Sequence, residues 1–165
     1  MTTTEMQNLT VQVYQVFIKA TPEQIWDAIT KPEFTERYFH GVRSDFDLRP
    51  GGHYRQTMGD TDQLATQGEV LEADPPRRLS HTWTSLYDPE MAVEEPSRVT
   101  WEIEARDDGT ALLTVTHDQL EGAPKTAAGV YGTGWMGVLS SLKTLLETGE
   151  LLDTPGSLRY SESWA

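Results

Sequence analysis

Hydrophobic and polar residues alternate along most of residues 11–117, which is the pattern of antiparallel strands with one buried face. The clearest case is 99–105, where Val99, Trp101 and Ile103 alternate with Thr and Glu. Segments of similar character lie at 11–20, 42–48, 53–58, 67–73 and 79–84, and around Leu113, Val115 and His117. The pattern predicts one early strand and about six later strands.

Two short helices are predicted directly after the first strand. Thr21 is a suitable N-cap, Pro22 suits the first helical position, and Gln24 completes a capping box. The segment Thr30-Lys31-Pro32-Glu33 repeats this arrangement and predicts the second helix. Because both helices are too short to be stable alone, they must pack against something larger.

The turn Asp107-Asp108-Gly109 fixes the register of a hairpin. A two-residue turn would place Ile103 opposite Thr114 and mix the two faces, whereas a three-residue loop places Ile103 opposite Leu113. Three-residue loops with Gly in the left-handed conformation are a common hairpin type. We therefore predict the three-residue loop, which also places His117 on the inner face.

One long helix is predicted over Gly129–Glu147 and ends at Gly149 as C-cap. Its apolar residues recur at steps of three and four and form one stripe: Tyr131, Trp135, Val138, Leu139, Leu142, Leu145 and Leu146. Four glycines lie in its N-terminal half, although each interior Gly costs roughly 1 kcal/mol relative to Ala. They indicate either close packing on the sheet or an adjustable roof over a cavity.

This order of elements predicts an α+β domain in which one sheet grips one helix. We assign residues 1–10 to a flexible N-terminal arm, 11–148 to the domain and 149–165 to a C-terminal tail. The tail mixes apolar residues with Pro, Gly and Ser, so we expect it to act as a flap or as a homodimer contact. A chain of 165 residues can bury about 70% of its unfolded surface in a single domain.

Composition excludes several classes of protein. The absence of Cys rules out a disulfide framework, and the polar opening MTTTEMQNLT lacks the features of a signal peptide. The net charge is −13 with few, scattered basic residues, which argues against binding to nucleic acid or to an anionic membrane. No apolar run reaches the ~20 residues of a membrane span. We expect a soluble, cytoplasmic protein.

Motifs for catalysis and for metal binding are weak. No nucleophile-elbow glycine pattern surrounds any Ser, and His117 and Asp118 point to opposite faces as neighbours on a strand. The histidines, which also include His40, His53 and His81, lack metal-site spacing. We expect no metal and no cofactor. The two inward histidines, His81 and His117, are either hydrogen-bonded parts of the core or polar contacts for a bound molecule.

Large aromatic residues dominate the predicted inner faces. They either fill the core or form the wall of a small-molecule cavity, since a concave sheet under a glycine-rich helix leaves interior volume. The candidate ligand-binding residues are Tyr54, Gln56, His81, Trp83, Trp101, Val115, His117, Tyr131, Trp135 and Leu139. Their chemistry favours a small apolar or aromatic ligand.

Several segments resemble START-like (SRPBCC, helix-grip) domains. Residues 20–30 (ATPEQIWDAIT) are similar to the opening of the branch named after the activator of the heat-shock-protein-90 ATPase. Further agreement lies in 47–52 (DLRPGG), 68–79 (GEVLEADPPRRL), 114–117 (TVTH) and 134–135 (GW). The resemblance covers about residues 11–148. It implies a helix-grip (START/Bet v 1-like) fold, in which a curved antiparallel sheet wraps around a long C-terminal helix and encloses an apolar cavity.

Three functional hypotheses follow, because one fold supports many activities. The first is a binding protein for a small apolar or aromatic ligand. The second is an interaction protein that stimulates a chaperone ATPase through its acidic surface. The third is a lyase or cyclase that uses the same cavity, with His81 or His117 moving a proton.

Overall fold

Residues 9–152, the part of the chain that the computed structural model describes, form seven strands and five helices. The strands are β1 (Gln12–Ile18), β2 (Val42–Phe46), β3 (His53–Met58), β4 (Leu64–Asp74), β5 (Arg78–Ser85), β6 (Ser97–Ala105) and β7 (Ala111–Asp118). The helices are α1 (Pro22–Thr30), α2 (Pro32–Tyr38), α3 (Pro89–Ala92), α4 (Pro124–Val130) and α5 (Thr133–Thr148).

The strands form one antiparallel sheet with the order β1-β7-β6-β5-β4-β3-β2. Strands β2 to β7 follow one another as neighbours, and β1 joins the sheet beside β7. The inner face of the sheet packs on α5, which buries Trp135, Val138, Leu139, Leu142 and Leu145 in the same core. The predicted α+β architecture, with two short helices after β1, is confirmed.

The capping box of α1 is present as predicted. The backbone N–H of Gln24 donates to Thr21 Oγ1 across 3.1 Å, and the backbone N–H of Thr21 donates to Gln24 Oε1 across 2.9 Å. The prediction for the start of the second helix was wrong at Thr30. This residue belongs to α1, and its hydroxyl donates to the Trp26 carbonyl. With Pro32 in the first helical position, Lys31 becomes the N-cap of α2.

The β6–β7 hairpin has the three-residue register that the alternation predicts. Ile103 pairs with Leu113 and Trp101 pairs with Val115. Gly109 takes a φ of +83°, the left-handed conformation that this loop requires. As a result, His117 lies on the inner face.

The single long helix was a wrong prediction, because the chain forms α4 and α5 with a break between them. Gly132 has a φ of +61° and Tyr131 is extended, so neither residue continues a helix. Two side chains of β1 hold the break: Gln12 Nε2 donates to the Ala127 carbonyl across 3.0 Å, and Tyr14 Oη accepts from the Gly132 amide across 2.8 Å. Gly149 ends α5 in the left-handed conformation, as predicted.

The segment between β5 and β6 contains α3 and braces α4. The Glu94 carboxylate accepts hydrogen bonds from the backbone amides of Lys125 and Thr126 and from the Thr126 hydroxyl. These amides open α4, so Glu94 acts as a cap supplied from another part of the chain.

The predicted arm and tail lie largely outside the described residues. Residues 1–8 and 153–165 are not described, so the expectation of a flap or dimer contact in the tail is untested. Leu9, which the sequence assigned to the arm, is buried against Leu120, Ala123 and Ala127 in a second, smaller apolar cluster. Packed structure therefore begins before β1.

Candidate ligand site

The inner faces of β5, β6 and β7 carry most of the predicted site residues in adjacent rows. Because side chains alternate along a strand, β5 turns His81 and Trp83 inward and β6 turns Trp101 inward. His81 lies opposite Val99, and Val99 lies opposite His117. The sheet thus places the two histidines on either side of one valine.

Nine of the ten predicted residues are buried, which confirms their inward positions. They are Tyr54, Gln56, His81, Trp83, Trp101, Val115, His117, Trp135 and Leu139. The predicted inward position of Tyr131 was wrong, because its side chain is 55% exposed. The cause is the helix break, which rotates Tyr131 off the apolar stripe that continues through Trp135.

His81 is held by two partners that define its proton position. Trp101 Nε1 donates to His81 Nε2 across 3.1 Å, and His81 Nδ1 lies 2.9 Å from the Thr82 carbonyl oxygen. Since a carbonyl oxygen only accepts, Nδ1 carries the proton and the ring is neutral. Burial lowers the pKa of His81 to about 4, against the opposing effect of the Thr82 carbonyl.

His117 occupies an equivalent environment on β7. Trp135 Nε1 donates to His117 Nδ1 across 3.1 Å, and His117 Nε2 lies 2.8 Å from Ser97 Oγ. The Ser97 hydroxyl in turn donates to the Trp83 carbonyl across 3.2 Å. Nε2 is therefore the protonated nitrogen. Burial, and then the proximity of His81, lower the pKa of His117 to about 3.

These two Trp–His pairs are parts of the core with all ring nitrogens in use. Neither histidine has a nitrogen left to hold a metal or to accept a proton from a substrate. Among the described residues, moreover, no group of three or more His, Cys, Asp or Glu side chains is placed to hold a metal ion. The first of the two interpretations of the histidines, a hydrogen-bonded core role, is the one that the geometry supports.

The aromatic rings pack directly on one another. Trp135 has its ring centroid 5.4 Å from that of Trp101, 5.9 Å from Trp83 and 6.1 Å from Phe39. On the other side of Trp83, Tyr54 lies 6.0 Å away. These distances are those of edge-to-face and tilted aromatic contacts, so the rings form a continuous wall.

A small cleft lies where this wall meets the helix break. Its volume is about 20 Å³, room for about one water molecule. The lining residues are Phe39, His40, Trp83, Gly129, Val130, Gly134, Trp135 and Val138. A cavity of ligand size is therefore absent at this cleft. The aromatic rings fill the interior volume in which the sequence analysis allowed a cavity.

Phe39 and His40 of the cleft were missed by sequence reasoning. They follow the end of α2, where no periodicity indicates direction, and His40 has a φ of +53° that turns the chain toward β2. The helical pattern carries no signal for side chains at the C-cap, which is Phe39, or beyond it.

Gln56 occupies the other end of the inner face. Its Nε2 donates to Ser44 Oγ across 3.0 Å. Tyr54, two residues earlier on the same face, stacks on Phe46 with 4.7 Å between ring centroids and makes a tilted contact with His81 at 4.1 Å. Among the described residues, Gln56 Oε1 and Thr66 Oγ1 are buried without a hydrogen-bond partner. Such atoms are rare in folded proteins and costly.

An antiparallel sheet that grips a C-terminal helix, with two short helices after the first strand, defines the START-like helix-grip class. The sequence matches the model of the family described as activator of Hsp90 ATPase homolog 1-like protein over residues 19–147. The chain belongs to this family. No curated protein matches the sequence.

Solved structures with the same fold come from several organisms. Protein MLL2253 from Mesorhizobium loti is 26% identical with a TM-score of 0.68, and the match covers 86% of this chain and 99% of that one. PFC0360w, an HSP90 activator from Plasmodium falciparum, is 21% identical with a TM-score of 0.64, covering 83% and 96%. The Aha1 dimer from Colwellia psychrerythraea is 19% identical with a TM-score of 0.64, covering 85% and 98%. Among the helices described, none has the length and apolar character to cross a bilayer.

Proposed function

We propose that the protein binds a small, uncharged, largely aromatic molecule between α5 and the inner face of the sheet. The observation that carries this proposal is the aromatic wall at the cleft. The indole N–H groups of Trp83, Trp101 and Trp135 are all satisfied by Ser85, His81 and His117 within the core. The wall therefore offers ring carbon surface to an incoming molecule, and flat aromatic ligands bury such surface best.

The absence of permanently charged side chains around the cleft supports an uncharged ligand. The residues lining it include no carboxylate, ammonium or guanidinium group, and His40 is the one titratable side chain among them. The two nearby histidines, His81 and His117, are neutral. A charged ligand would lose its hydration at this place without a partner of opposite sign, which is costly.

Binding requires a movement, because the cleft holds about 20 Å³. The break at Gly132 divides the roof into two helices, and α4 forms the shorter part beside Gly129 and Val130 of the cleft. A displacement of α4 would widen the cleft without disturbing the longer α5, which carries most of the core contacts. The helix break thus supports an opening at this end of the domain.

Titration of the full chain with naphthalene, followed by tryptophan fluorescence and calorimetry, tests the proposal. We expect saturable binding, and about a tenfold loss of affinity in Val138→Leu, which adds one methylene at the cleft. Met136→Leu is the matched control, since Met136 is on the same helix with 51% of its side chain exposed. No saturable signal up to the solubility limit, or equal losses in both variants, would overturn the proposal.

A co-chaperone role is the second candidate. It is favoured by the family description and by the HSP90 activator among the structural neighbours. An acidic protein of net charge −13 would meet a basic partner surface, so stimulation of an Hsp90 ATPase should weaken with added salt. An ATPase assay at low and high salt decides, and a rate unchanged at low salt would remove this candidate.

The lyase or cyclase hypothesis gains no support from the site. His81 and His117 would have to break their bonds to Trp101 and Trp135 before either could move a proton. We also propose a homodimer, since the neighbour from Colwellia psychrerythraea is described as a dimer. Light scattering after size-exclusion chromatography tests it, and a mass of 18.5 kDa at high concentration would contradict it.

A further inference from the structure

Four polar side chains form a buried row across four neighbouring strands. Ser44 of β2 pairs with Gln56 of β3, Gln56 pairs with Thr66 of β4, and Thr66 pairs with Ser85 of β5. Because directly paired residues of antiparallel strands share a face, all four point to the inner side of the sheet. Their exposed fractions are 2%, 1%, 0% and 0% in that order.

The row has hydrogen bonds at both ends and unpaired atoms in its middle. At one end Gln56 Nε2 donates to Ser44 Oγ, and at the other Ser85 Oγ accepts from Trp83 Nε1 across 2.9 Å. Between them, Gln56 Oε1 and Thr66 Oγ1 have no partner among the described residues. Because Gln56 and Thr66 are directly paired, their two unpaired oxygen atoms form a preformed hydrogen-bonding site for one further polar group.

We propose that this row is a polar subsite that takes the hydroxyl group of the aromatic ligand. The inference rests on the proposed function and narrows the ligand to an uncharged phenol or aromatic alcohol. One hydroxyl can donate to Gln56 Oε1 and at the same time accept from the Thr66 hydroxyl. It also suits the reverse orientation of the Gln56 amide, because a hydroxyl both donates and accepts.

Trp83 connects the subsite to the cleft. Its ring lines the cleft beside Trp135, and its N–H donates to Ser85 at the end of the row. A ligand whose ring enters along Trp83 would therefore point its substituent toward Thr66. Tyr54, the neighbour of Gln56 on the same face of β3, closes the far side through its tilted contact with the His81 ring.

Other polar groups fit the row less well. A carboxylate could accept from Thr66 but would face Gln56 Oε1 with a second negative oxygen. An ammonium could donate to both atoms, yet it would remain a buried charge without a counter-ion. A neutral hydroxyl brings neither a second negative oxygen nor a buried charge.

Calorimetry with three probes, naphthalene, 1-naphthol and 1-naphthoate, tests the subsite in the full chain. We expect 1-naphthol to bind about tenfold more tightly than naphthalene and 1-naphthoate to bind most weakly. Thr66→Val keeps the side-chain shape and leaves the ligand hydroxyl only its bond to Gln56 Oε1, so it should lower the preference for 1-naphthol over naphthalene to about threefold. Thr57→Val is the matched control, because Thr57 neighbours Gln56 on the opposite face of β3.

The outcomes separate the two proposals. If naphthalene binds and 1-naphthol shows no preference, or keeps its full preference in Thr66→Val, the subsite is wrong and the proposed function stands. If neither probe binds the unmodified chain, both fail. A reduced preference in Thr66→Val with full preference in Thr57→Val supports the subsite, and a thermal melt confirms that both variants are folded.

Discussion

Trp135 Nε1 donates a hydrogen bond to His117 Nδ1 across 3.1 Å and so joins α5 to β7 inside the core. The same relationship joins Trp101 of β6 to His81 of β5 across 3.1 Å. In both pairs the indole N–H supplies the hydrogen-bond donor that the unprotonated nitrogen of a buried, neutral imidazole needs. The helix and the sheet are thereby linked by a bond of defined direction as well as by apolar contact.

Trp135→Phe should destabilise the protein. It leaves His117 Nδ1 buried without a donor, which costs about 1–3 kcal/mol in the free energy of unfolding, beyond the loss of ring volume. Urea denaturation measures the change, and a double-mutant cycle with His117→Leu isolates the bond. A coupling energy near zero in that cycle would show that the pair contributes through packing alone.

Acid should weaken the fold through the same histidines. Their folded pKa values, about 4 for His81 and about 3 for His117, lie below the usual value of 6.5, so the unfolded chain takes up protons first. Stability is therefore full above about pH 6.5 and is lost as pH falls toward the folded values. Each histidine contributes a slope of up to about 1.4 kcal/mol per pH unit.

Denaturation curves at pH 7, 6, 5 and 4 measure this slope. His117→Gln keeps a side chain that can accept from Trp135 and removes one titrating group, so its slope should be smaller by one proton. An unchanged slope in His117→Gln would contradict the assignment.

Two glycines close together in sequence should respond in opposite directions to replacement by Ala. Gly137 lies inside α5, and an added Cβ would meet no atom within 4 Å, so Gly137→Ala should stabilise by about 0.5–1 kcal/mol. Gly132 holds the helix break with a φ of +61°, so Gly132→Ala should destabilise by about 1–2 kcal/mol. Thermal melts of the pair test this, and stabilisation by Gly132→Ala would indicate that the helix can run through.

Tyr14→Phe should loosen the helix break without changing the core. The variant removes the acceptor of the Gly132 amide, which the Tyr14 hydroxyl holds across 2.8 Å. We expect a loss of about 0.5–1.5 kcal/mol and faster hydrogen exchange at Gly132. Amides in α5 beyond Trp135 serve as the internal control, and equal acceleration there would mean global rather than local opening.

The alternation of side chains predicted the strands and the register of the β6–β7 hairpin. The inward positions of His81, Trp101 and His117 were identified because a strand that slips by one position exposes its whole apolar face. The three-residue loop at Gly109 followed from the same constraint. The pairing of β6 with β7 could be predicted because the two strands are adjacent in sequence and each alternates clearly.

The helix break and the close packing of the rings at the cleft could not be obtained in the same way. Tyr131 stands four residues before Trp135 and fits the helical stripe, and periodicity carries no information on the sign of φ at Gly132. Likewise, the sequence identified the aromatic rings but not how tightly they would pack. Thr66 was missed as a site residue because the predicted strand began at residue 67, whereas β4 begins at Leu64 and buries Thr66 between Gln56 and Ser85.

Gln12 links the beginning of the domain to α4, which lies near the end of the domain in sequence. Its single amide group donates both to the Leu9 carbonyl and to the Ala127 carbonyl of α4. Leu9 itself lies under that helix, in contact with the cluster around Leu120. Trimming the chain to start at Val13 would thus remove these contacts, release α4 and widen the cleft. A deletion intended only to shorten the N-terminus would therefore change the proposed ligand site.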